Sequence, residues 1–232
     1  MHPIDNTLES NVYDFKRLYC NENDIIVKIL KEKLSAYLIP TILDVGAGIG
    51  DIAFNALTDK KVIMVDVNDF SQYNLPCSPN HSRVQCGFNE FITNEIINTV
   101  LISHTLQFID DDLKILNSKL HELSPEFLIL VLNCNNDFMN ELIQWTENYC
   151  SSSNPEYRIK GFPEGYNLIK RERFSTELKC PDYNILAKQV AYLMQSDVQK
   201  NEFELVLFLK ERLDKPEFII NQSIDIYQKH EK

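Results

Sequence analysis

The segment ILDVGAGIGDIAF, residues 42–54, most constrains what this 232-residue chain can fold into. Apolar and β-branched residues lead into three glycines, Gly46, Gly48 and Gly50, and a helical pattern begins near Ile49. A strand that ends on glycines and continues into a helix is the arrangement with which α/β proteins bind nucleotides. The segment therefore predicts a ligand-binding loop at the end of a buried strand.

Around this segment, apolar residues repeat with the period of a strand or of a helix, and the two patterns alternate along the chain. The predicted strands are 41–46, 62–66, 83–87, 99–103, 127–132, 167–178 and 218–227. The predicted helices are 12–19, 25–34, 49–57, 110–123, 183–194 and 202–213. This alternation predicts an α/β fold: a doubly wound, Rossmann-like, seven-stranded and mostly parallel sheet with N-terminal helices and a C-terminal helical insertion.

We expect a single domain over residues 1–232, because the length and the 44% hydrophobic content suit one α/β core with an added cap. Within it, residues 1–40 form an N-terminal helical cap and residues 41–150 the cofactor-binding core. Residues 151–232 supply a substrate lid and the terminal strands. No feature of the sequence calls for a partner subunit, so a monomer is expected.

The charge and the cysteines restrict the partners. The chain has 34 acidic and 23 basic residues, a formal net charge of −11, which argues against binding a nucleic-acid backbone. Its six cysteines form no CxxC pair and so predict neither a zinc site nor a compact disulfide framework. The sequence shows no leader pattern and no apolar membrane-length segment, so we expect a cytoplasmic protein without a membrane partner.

The spacing of the glycines distinguishes between nucleotide ligands. A phosphate loop requires Lys and Ser/Thr after its last glycine, and no lysine follows Gly50. A dinucleotide loop has its third glycine where this chain has Asp51. The pattern from Asp44 to Gly50 is DxGxGxG, which resembles motif I of the class I S-adenosylmethionine-dependent methyltransferases.

This resemblance implies S-adenosylmethionine as cofactor, S-adenosylhomocysteine as product, and no metal. Asp66, 16 residues after Gly50 at the end of the second strand, is placed to accept hydrogen bonds from the ribose hydroxyls. Phe88 and Asn89 follow the third strand, where the superfamily places a residue beside adenine. The implied cofactor-binding residues are Asp44, Gly46, Ala47, Gly48, Gly50, Asp66, Val67, Phe88, Asn89 and Ser103.

The end of the fourth strand indicates the substrate class. Nucleic-acid amino-methyltransferases have an Asn/Asp-Pro-Pro-aromatic sequence there, and this chain has Ile102 to Phe108, ISHTLQF, instead. The segment resembles the small-molecule methyltransferases, with an amine or heteroaromatic nitrogen as the expected acceptor. Two alternatives stay open: methylation of oxygen in a small molecule, and S-adenosylmethionine binding without catalysis.

The flanks of motif I extend the resemblance to the histamine N-methyltransferases. It is carried by Phe15–Tyr19, the segment up to Asp24, ILDVGAGIGDIAF, and the C-terminal segment 216–223. By register, the substrate-binding positions of that family fall on Asp24, His104 and Asn221. The family has a longer carboxylate and a glutamine at the first two positions, and these departures argue against histamine itself.

The resemblance gives each residue a chemical role. His104 takes the proton from the amine or orients it, Asp24 attracts a cationic part of the substrate, and Asn221 fixes its direction. Aromatic residues implied to line the site are Phe15, Tyr19 and Phe108. Structural roles remain as alternatives: a buried histidine bonded to backbone for His104, and a helix cap for Asp24.

A run of three acidic residues, Asp110 to Asp112, is the one segment that suggests a metal. Acidic residues at the start of a helix more commonly cap it and interact with its dipole. We therefore interpret this run as a helix start and not as a magnesium site.

Overall fold

The computed structural model describes residues 18–70, 73, 78–109, 113–134, 136–149, 162–193 and 202–230. The helices are α1 (Glu22–Lys33), α2 (Asp51–Ala56), α3 (Leu106–Ile109), α4 (Lys114–Leu123), α5 (Asp137–Tyr149), α6 (Tyr183–Leu193) and α7 (Glu202–Arg212). The strands are β1 (Thr41–Val45), β2 (Lys61–Asp66), β3 (His81–Gln85), β4 (Thr99–Ser103), β5 (Phe127–Cys134), β6 (Tyr166–Lys179) and β7 (Glu217–Lys229).

The strands form one seven-stranded mixed sheet in the order β3-β2-β1-β4-β5-β7-β6. The strands from β3 to β5 in that order pair in parallel. The predicted α/β fold with a seven-stranded, mostly parallel sheet is therefore confirmed. Because chain order reverses on either side of β1, the ends of β1 and β4 flank a switch point, where open α/β sheets bind ligands.

Strand β1 shows why the central strands of the sheet could be predicted from the sequence. Four of its five residues are buried, and its neighbours β2 and β4 are apolar runs of the same kind. Continuous apolar runs are typical of parallel strands covered on both faces. One residue of β1 departs from this composition: Asp44, a carboxylate on a central buried strand.

The chain divides into two compact units. The smaller unit contains the described residues of Met1–Glu22, Cys134–Tyr157 and Phe174–Gln222. The larger unit contains those of Asn23–Asn133, Arg158–Arg173 and Ser223–Lys232. Strands β6 and β7 thus contribute residues to both units, and α5 belongs to the smaller one. The single domain of the sequence analysis stays a prediction.

Each unit has its own apolar core. In the larger unit the core includes Leu43, Val65, Ile102 and Leu130 of the parallel strands, with side chains of α4 packed against them. In the smaller unit, side chains of α5, α6, α7 and β7 pack together, among them Leu142, Leu186, Leu209 and Ile220.

Two helices differ from the sequence expectation. Helix α5 was not predicted, because Asn, Thr and aromatic residues of modest helix propensity dilute its pattern. Its start has a clear signal in Asn136, whose Oδ1 accepts a hydrogen bond from the backbone N–H of Met139 at 2.8 Å. Helix α4 begins at Lys114, and its predicted first turn at 110–112 lies outside the described residues, as do residues 12–17 of the helix predicted at 12–19.

Within the described part of the chain, no helix has the length and apolarity needed to cross a membrane.

Candidate functional site

The glycine loop, defined as residues 46–50, is held by backbone hydrogen bonds at the carboxyl end of β1. The N–H groups of Gly46 and Ala47 both donate to the carbonyl of Val65, at 2.7 and 3.2 Å. Gly46, Gly48 and Gly50 all have positive φ, between 55° and 87°. Residues with a Cβ rarely adopt this backbone region, so glycine is strongly favoured at these three positions.

Gly46 is needed for a second reason, a close approach to the end of β4. A Cβ on Gly46 would lie 2.2 Å from both Cγ2 and Oγ1 of Thr105. Thr105 is in turn fixed by its hydroxyl, which donates to the Ser103 carbonyl at 2.8 Å. The glycine loop and the residues after β4 therefore interlock.

Asp66 ends β2 beside the glycine loop, as the spacing predicted. Its Oδ2 accepts a hydrogen bond from the Gly48 N–H at 2.8 Å, and its Oδ1 accepts from the Asn68 N–H at 3.0 Å. An ionised carboxylate has about four lone-pair positions, so capacity remains for two further donors. Val67, predicted to contact the cofactor, follows it and is exposed.

Asp44 is the most unusual group of this region. Its side chain is 2% exposed, and its Oδ2 has no hydrogen-bond partner among the described residues. Burial, reinforced by the negative charge of Asp66, raises the pKa of Asp44 to about 7, although the Arg83 cation works against the rise. Near neutral pH this carboxyl group is thus close to half ionised, and a bound cation would favour its charged form.

The third predicted contact lies after β3. Phe88 is buried in the core of the larger unit, whereas Asn89 is exposed. The Gly87 N–H between the strand and these residues donates to Oε2 of Glu90 at 3.1 Å. Phe88 therefore has a packing role in the structure, and the contact of either residue with adenine stays a prediction.

The end of β4 carries a backbone conformation that the sequence did not indicate. His104 is half-buried and has a φ of 53°, uncommon for a residue with a side chain. Its N–H donates to the Val131 carbonyl at 3.1 Å, which fixes the turn after Ser103. Strained conformations of this kind concentrate at functional sites. Phe108 lies in α3 with its side chain outside the described atoms, and Phe15 lies outside the described residues, as do Asp110 to Asp112.

The remaining predicted substrate residues belong to different units. Asp24 is an exposed residue of α1 in the larger unit. Asn221 is half-buried in the smaller unit, and its Oδ1 accepts a hydrogen bond from the Ser175 hydroxyl at 2.9 Å. Tyr19, also in the smaller unit, is half-buried against the apolar core of that unit. The structure describes these three residues separately, and their meeting in one pocket with His104 stays a prediction.

Sequence reasoning missed two buried polar residues of the smaller unit. Glu22 and Gln222 are 3% and 1% exposed, and Nε2 of Gln222 donates to Oε1 of Glu22. Each lies within two residues of a predicted substrate contact, Asp24 or Asn221. The alternation of a strand could have identified Gln222, because adjacent residues of β7 point to opposite faces.

Arg83 is the third residue that was missed. It lies on β3, and Nη1 of its guanidinium donates to the Gly48 carbonyl at 2.8 Å. No local signal distinguishes it, because an isolated arginine on a strand is ordinarily a solvated charge. Among the described residues, no group of three His, Cys, Asp or Glu side chains is arranged to hold a metal ion.

Comparison with known proteins shows the fold. No family model matches the sequence, and no curated protein matches it significantly. Three similar solved structures are MccD protein, a proposed type II methyltransferase from Anaeromyxobacter dehalogenans, and a coclaurine N-methyltransferase bound to N-methylheliamine and S-adenosylhomocysteine. Their TM-scores are 0.53, 0.52 and 0.50, at identities of 13%, 12% and 11%.

The similarity extends over most of each chain. It covers 88%, 82% and 88% of this chain, and 96%, 89% and 72% of the three structures, in the same order. The chain therefore has the Rossmann-like methyltransferase fold. The resemblance to histamine N-methyltransferases stays a prediction.

Proposed function

We propose that the protein is an S-adenosylmethionine-dependent methyltransferase that acts on a small molecule, with an amine or heteroaromatic nitrogen as acceptor. The observation that carries the proposal is the hydrogen bond between the Gly48 N–H and the Asp66 carboxylate. It joins the DxGxGxG loop to the carboxylate at the end of β2, on a fold shared with a methyltransferase bound to S-adenosylhomocysteine.

The residues present fit this cofactor. Three glycines with positive φ leave three positions of the loop without side chains, where a ligand can lie against the backbone, and Asp66 keeps acceptor capacity for ribose hydroxyls. Asp44 provides a buried carboxylate oxygen without a hydrogen-bond partner among the described residues, suited to a cationic group. When bound, the cofactor supplies an activated methyl group on a sulfonium centre.

The residues of the chain then have two tasks, alignment and proton transfer. A rigid glycine loop and the interlocked turn after β4 hold the reactants in one geometry, which is the main contribution a protein makes to a displacement reaction. The imidazole of His104 accepts the proton that the attacking amine must lose, or orients that amine. We expect His104→Gln and His104→Ala to lower kcat while the Kd for S-adenosylmethionine stays unchanged. Wild-type turnover in both variants would exclude this role.

For the cationic part of the substrate, two carboxylates are candidates. Asp24 follows from the resemblance, and Glu22 is the buried alternative with Gln222 bonded to it. A matched pair of variants separates them: Glu22→Gln and Asp24→Asn each remove one negative charge from the same helix. The variant of this pair that raises KM for an amine substrate identifies the carboxylate that binds it. In the same way, a comparison of Gln222→Ala with Asn221→Ala identifies the amide side chain that binds the substrate.

Titration calorimetry with S-adenosylmethionine, S-adenosylhomocysteine and NAD tests the proposal first. We expect micromolar binding of the first two ligands and none of NAD. Binding of NAD alone would overturn the proposal. Binding of S-adenosylmethionine without methyl transfer to any amine, heteroaromatic or hydroxylated acceptor would favour a non-catalytic binding protein. Methyl transfer only to oxygen would identify a hydroxyl or carboxylate as the acceptor in place of nitrogen.

The net charge of −11 supports a small-molecule substrate over a nucleic acid. A cytoplasmic location and a monomeric state are part of the same proposal.

A further inference from the structure

Three side chains form a row across the first three strands of the parallel sheet. Asp44 of β1 pairs in register with Met64 of β2, and Met64 pairs with Arg83 of β3. Residues in register on neighbouring parallel strands point to the same face, so the three side chains share one face of the sheet. Arg83 is thus on the same side as Asp44, two strands away.

The guanidinium of Arg83 reaches from this row to the glycine loop. Nη1 donates to the Gly48 carbonyl at 2.8 Å, and Nη2 donates to the Ile49 carbonyl. Its Cζ lies 5.8 Å from the centroid of the Phe54 ring. A Cβ on Gly50 would lie 2.6 Å from Nη2, so the absence of a side chain at Gly50 makes room for the guanidinium.

The backbone of Gly48 is consequently held at both its N–H and its carbonyl group. Its carbonyl accepts from Arg83, and its N–H donates to Asp66. Two hydrogen bonds from a planar guanidinium define the orientation of the loop more closely than a single point contact would. Loss of Arg83 removes one of the two restraints on Gly48.

Arg83 also affects the charge of this region. Asp44 and Asp66 are two carboxylates that interact with each other, and the Arg83 cation opposes the rise in the pKa of Asp44. Partial burial lowers the pKa of Arg83, and the two carboxylates oppose that lowering without cancelling it. Asp66 and Arg83 are the two charged partners that act on Asp44 among the described residues.

We propose that Arg83 is a positioning residue that holds the Gly48 and Ile49 carbonyls in the ligand-binding shape of the glycine loop and places a positive charge on the same face of the sheet as Asp44. It acts on the cofactor through the loop and through the charge of Asp44. The inference rests on the proposed function for the identity of the ligand, but the restraint on the loop is a property of the ligand-free protein.

Three variants of the full chain test the proposal. Arg83→Met removes the charge and both hydrogen bonds, and Arg83→Lys keeps the charge but not the planar pair of donors. Lys61→Met is the matched control, since it removes a cation from the neighbouring strand β2, where Lys61 pairs with Glu95. Hydrogen exchange of the amides of residues 46–54 measures the loop, and carboxyl carbon NMR measures the titration of Asp44.

In Arg83→Met we expect loop amides to exchange about tenfold faster, in line with the loss of a charge-assisted hydrogen bond, and Asp44 to titrate at higher pH. Arg83→Lys should restore the titration of Asp44 but not the protection of the loop, a separation that general loss of stability does not produce. Lys61→Met should match the wild type in both measurements. Wild-type exchange and titration in Arg83→Met would overturn the proposal. If that variant does not fold, wild-type loop protection in Arg83→Lys would overturn it equally.

Calorimetry on the same proteins connects the loop to the ligand. We expect Arg83→Met to weaken S-adenosylmethionine binding about tenfold or more, with Lys61→Met unchanged. Wild-type affinity in Arg83→Met would overturn the link between the loop and the cofactor. If the wild type binds no S-adenosylmethionine, the proposed function fails, and the exchange and titration data still decide the role of Arg83.

Discussion

Two buried aspartates of the larger unit differ in how their charge is balanced. Asp225 on β7 is fully buried, and both of its oxygens accept hydrogen bonds from Arg171, from Nε at 2.7 Å and from Nη2 at 2.5 Å. Asp44 on β1 is equally buried, yet its Oδ2 has no hydrogen-bond partner among the described residues. The same side chain is thus neutralised on β7 and left incompletely satisfied on β1.

The difference separates a structural charge from a functional one. A buried carboxylate costs free energy unless it is paired, so the Asp225–Arg171 pair completes the structure by itself. Asp44 carries an unrelieved cost, and titratable groups with strongly perturbed pKa values cluster at functional sites. Its position beside the glycine loop is where a cationic ligand would relieve that cost.

The largest effect is expected from Asp44→Asn. The pKa of Asp44 in the folded protein, about 7, exceeds its ordinary value of 3.8. The folded state therefore binds this proton more tightly than the unfolded state, and wild-type stability falls as pH rises from about 4 to about 7. Each pH unit is worth about 1.4 kcal/mol, so Asp44→Asn is expected to gain up to about 4 kcal/mol at pH 8. Urea unfolding of both proteins across this pH range measures the difference in free energy of unfolding.

Asp59→Asn, at an exposed position, is the control. An equal dependence of stability on pH in wild type and Asp44→Asn would remove the distinction between Asp44 and Asp225.

Arg171→Met tests the opposite side of the comparison. It leaves Asp225 buried without its cation, which typically costs 3–5 kcal/mol in free energy of unfolding. The Arg171 side chain is 39% exposed, so water can reach the vacated space and we expect about 3 kcal/mol, the lower end of that range. Urea unfolding at pH 7 is the measurement. Arg173→Met, an exposed arginine on the same strand, should change stability little, and a similar loss there would show that the pair has no special role.

The shape of the loop next to Asp44 can be tested with two glycines. Gly46 and Gly165 have φ values of 69° and 76°, but a Cβ meets Thr105 at the first and nothing within 4 Å at the second. Alanine at Gly165 should cost about 1–2 kcal/mol from backbone strain alone. Alanine at Gly46 should cost about 1 kcal/mol or more beyond that, from the steric overlap. Thermal unfolding compares them, and equal losses would mean that the contact with Thr105 yields without cost.

The smallest expected effect concerns the proposed ligand. If a cationic part of S-adenosylmethionine requires ionised Asp44, affinity should rise about tenfold between pH 6 and pH 8, because the ionised fraction rises across a pKa of about 7. Calorimetry at several pH values measures this. In Asp44→Asn the affinity should be weaker and independent of pH over this range. A pH dependence that persists in Asp44→Asn would assign the titration to another group.

Local patterns predicted the centre of the fold well. The strands 62–66, 99–103 and 127–132 were placed within two residues of the observed β2, β4 and β5, because apolar runs bounded by polar turns are a strong local signal. The glycine loop and Asp66 followed from spacing within one βαβ unit. A short range in the chain is enough to define both.

The rest depends on contacts that distant parts of the chain make with each other. Arg83 reaches the glycine loop only because β1, β2 and β3 pair in this register. His104 adopts its positive φ at a turn in which its N–H donates to the Val131 carbonyl of β5. At Asn221 and Gln222 an uncertainty of one residue exchanges the two faces of a strand. The register taken from the resemblance carries that uncertainty, whereas the alternation of Phe218, Ile220 and Gln222 within β7 identifies Gln222 as the buried amide.

In evolutionary terms, the interlock between Gly46 and Thr105 links two positions that lie 59 residues apart. A side chain at position 46 becomes acceptable only after position 105 has become smaller, and the left-handed backbone at Gly46 still opposes it. Which substitutions are accepted at position 46 therefore depends on the residue at position 105, and the reverse also holds. Homologues in which Thr105 is replaced by a bulkier residue should show a displaced segment after β4, because the glycine cannot move to accommodate it.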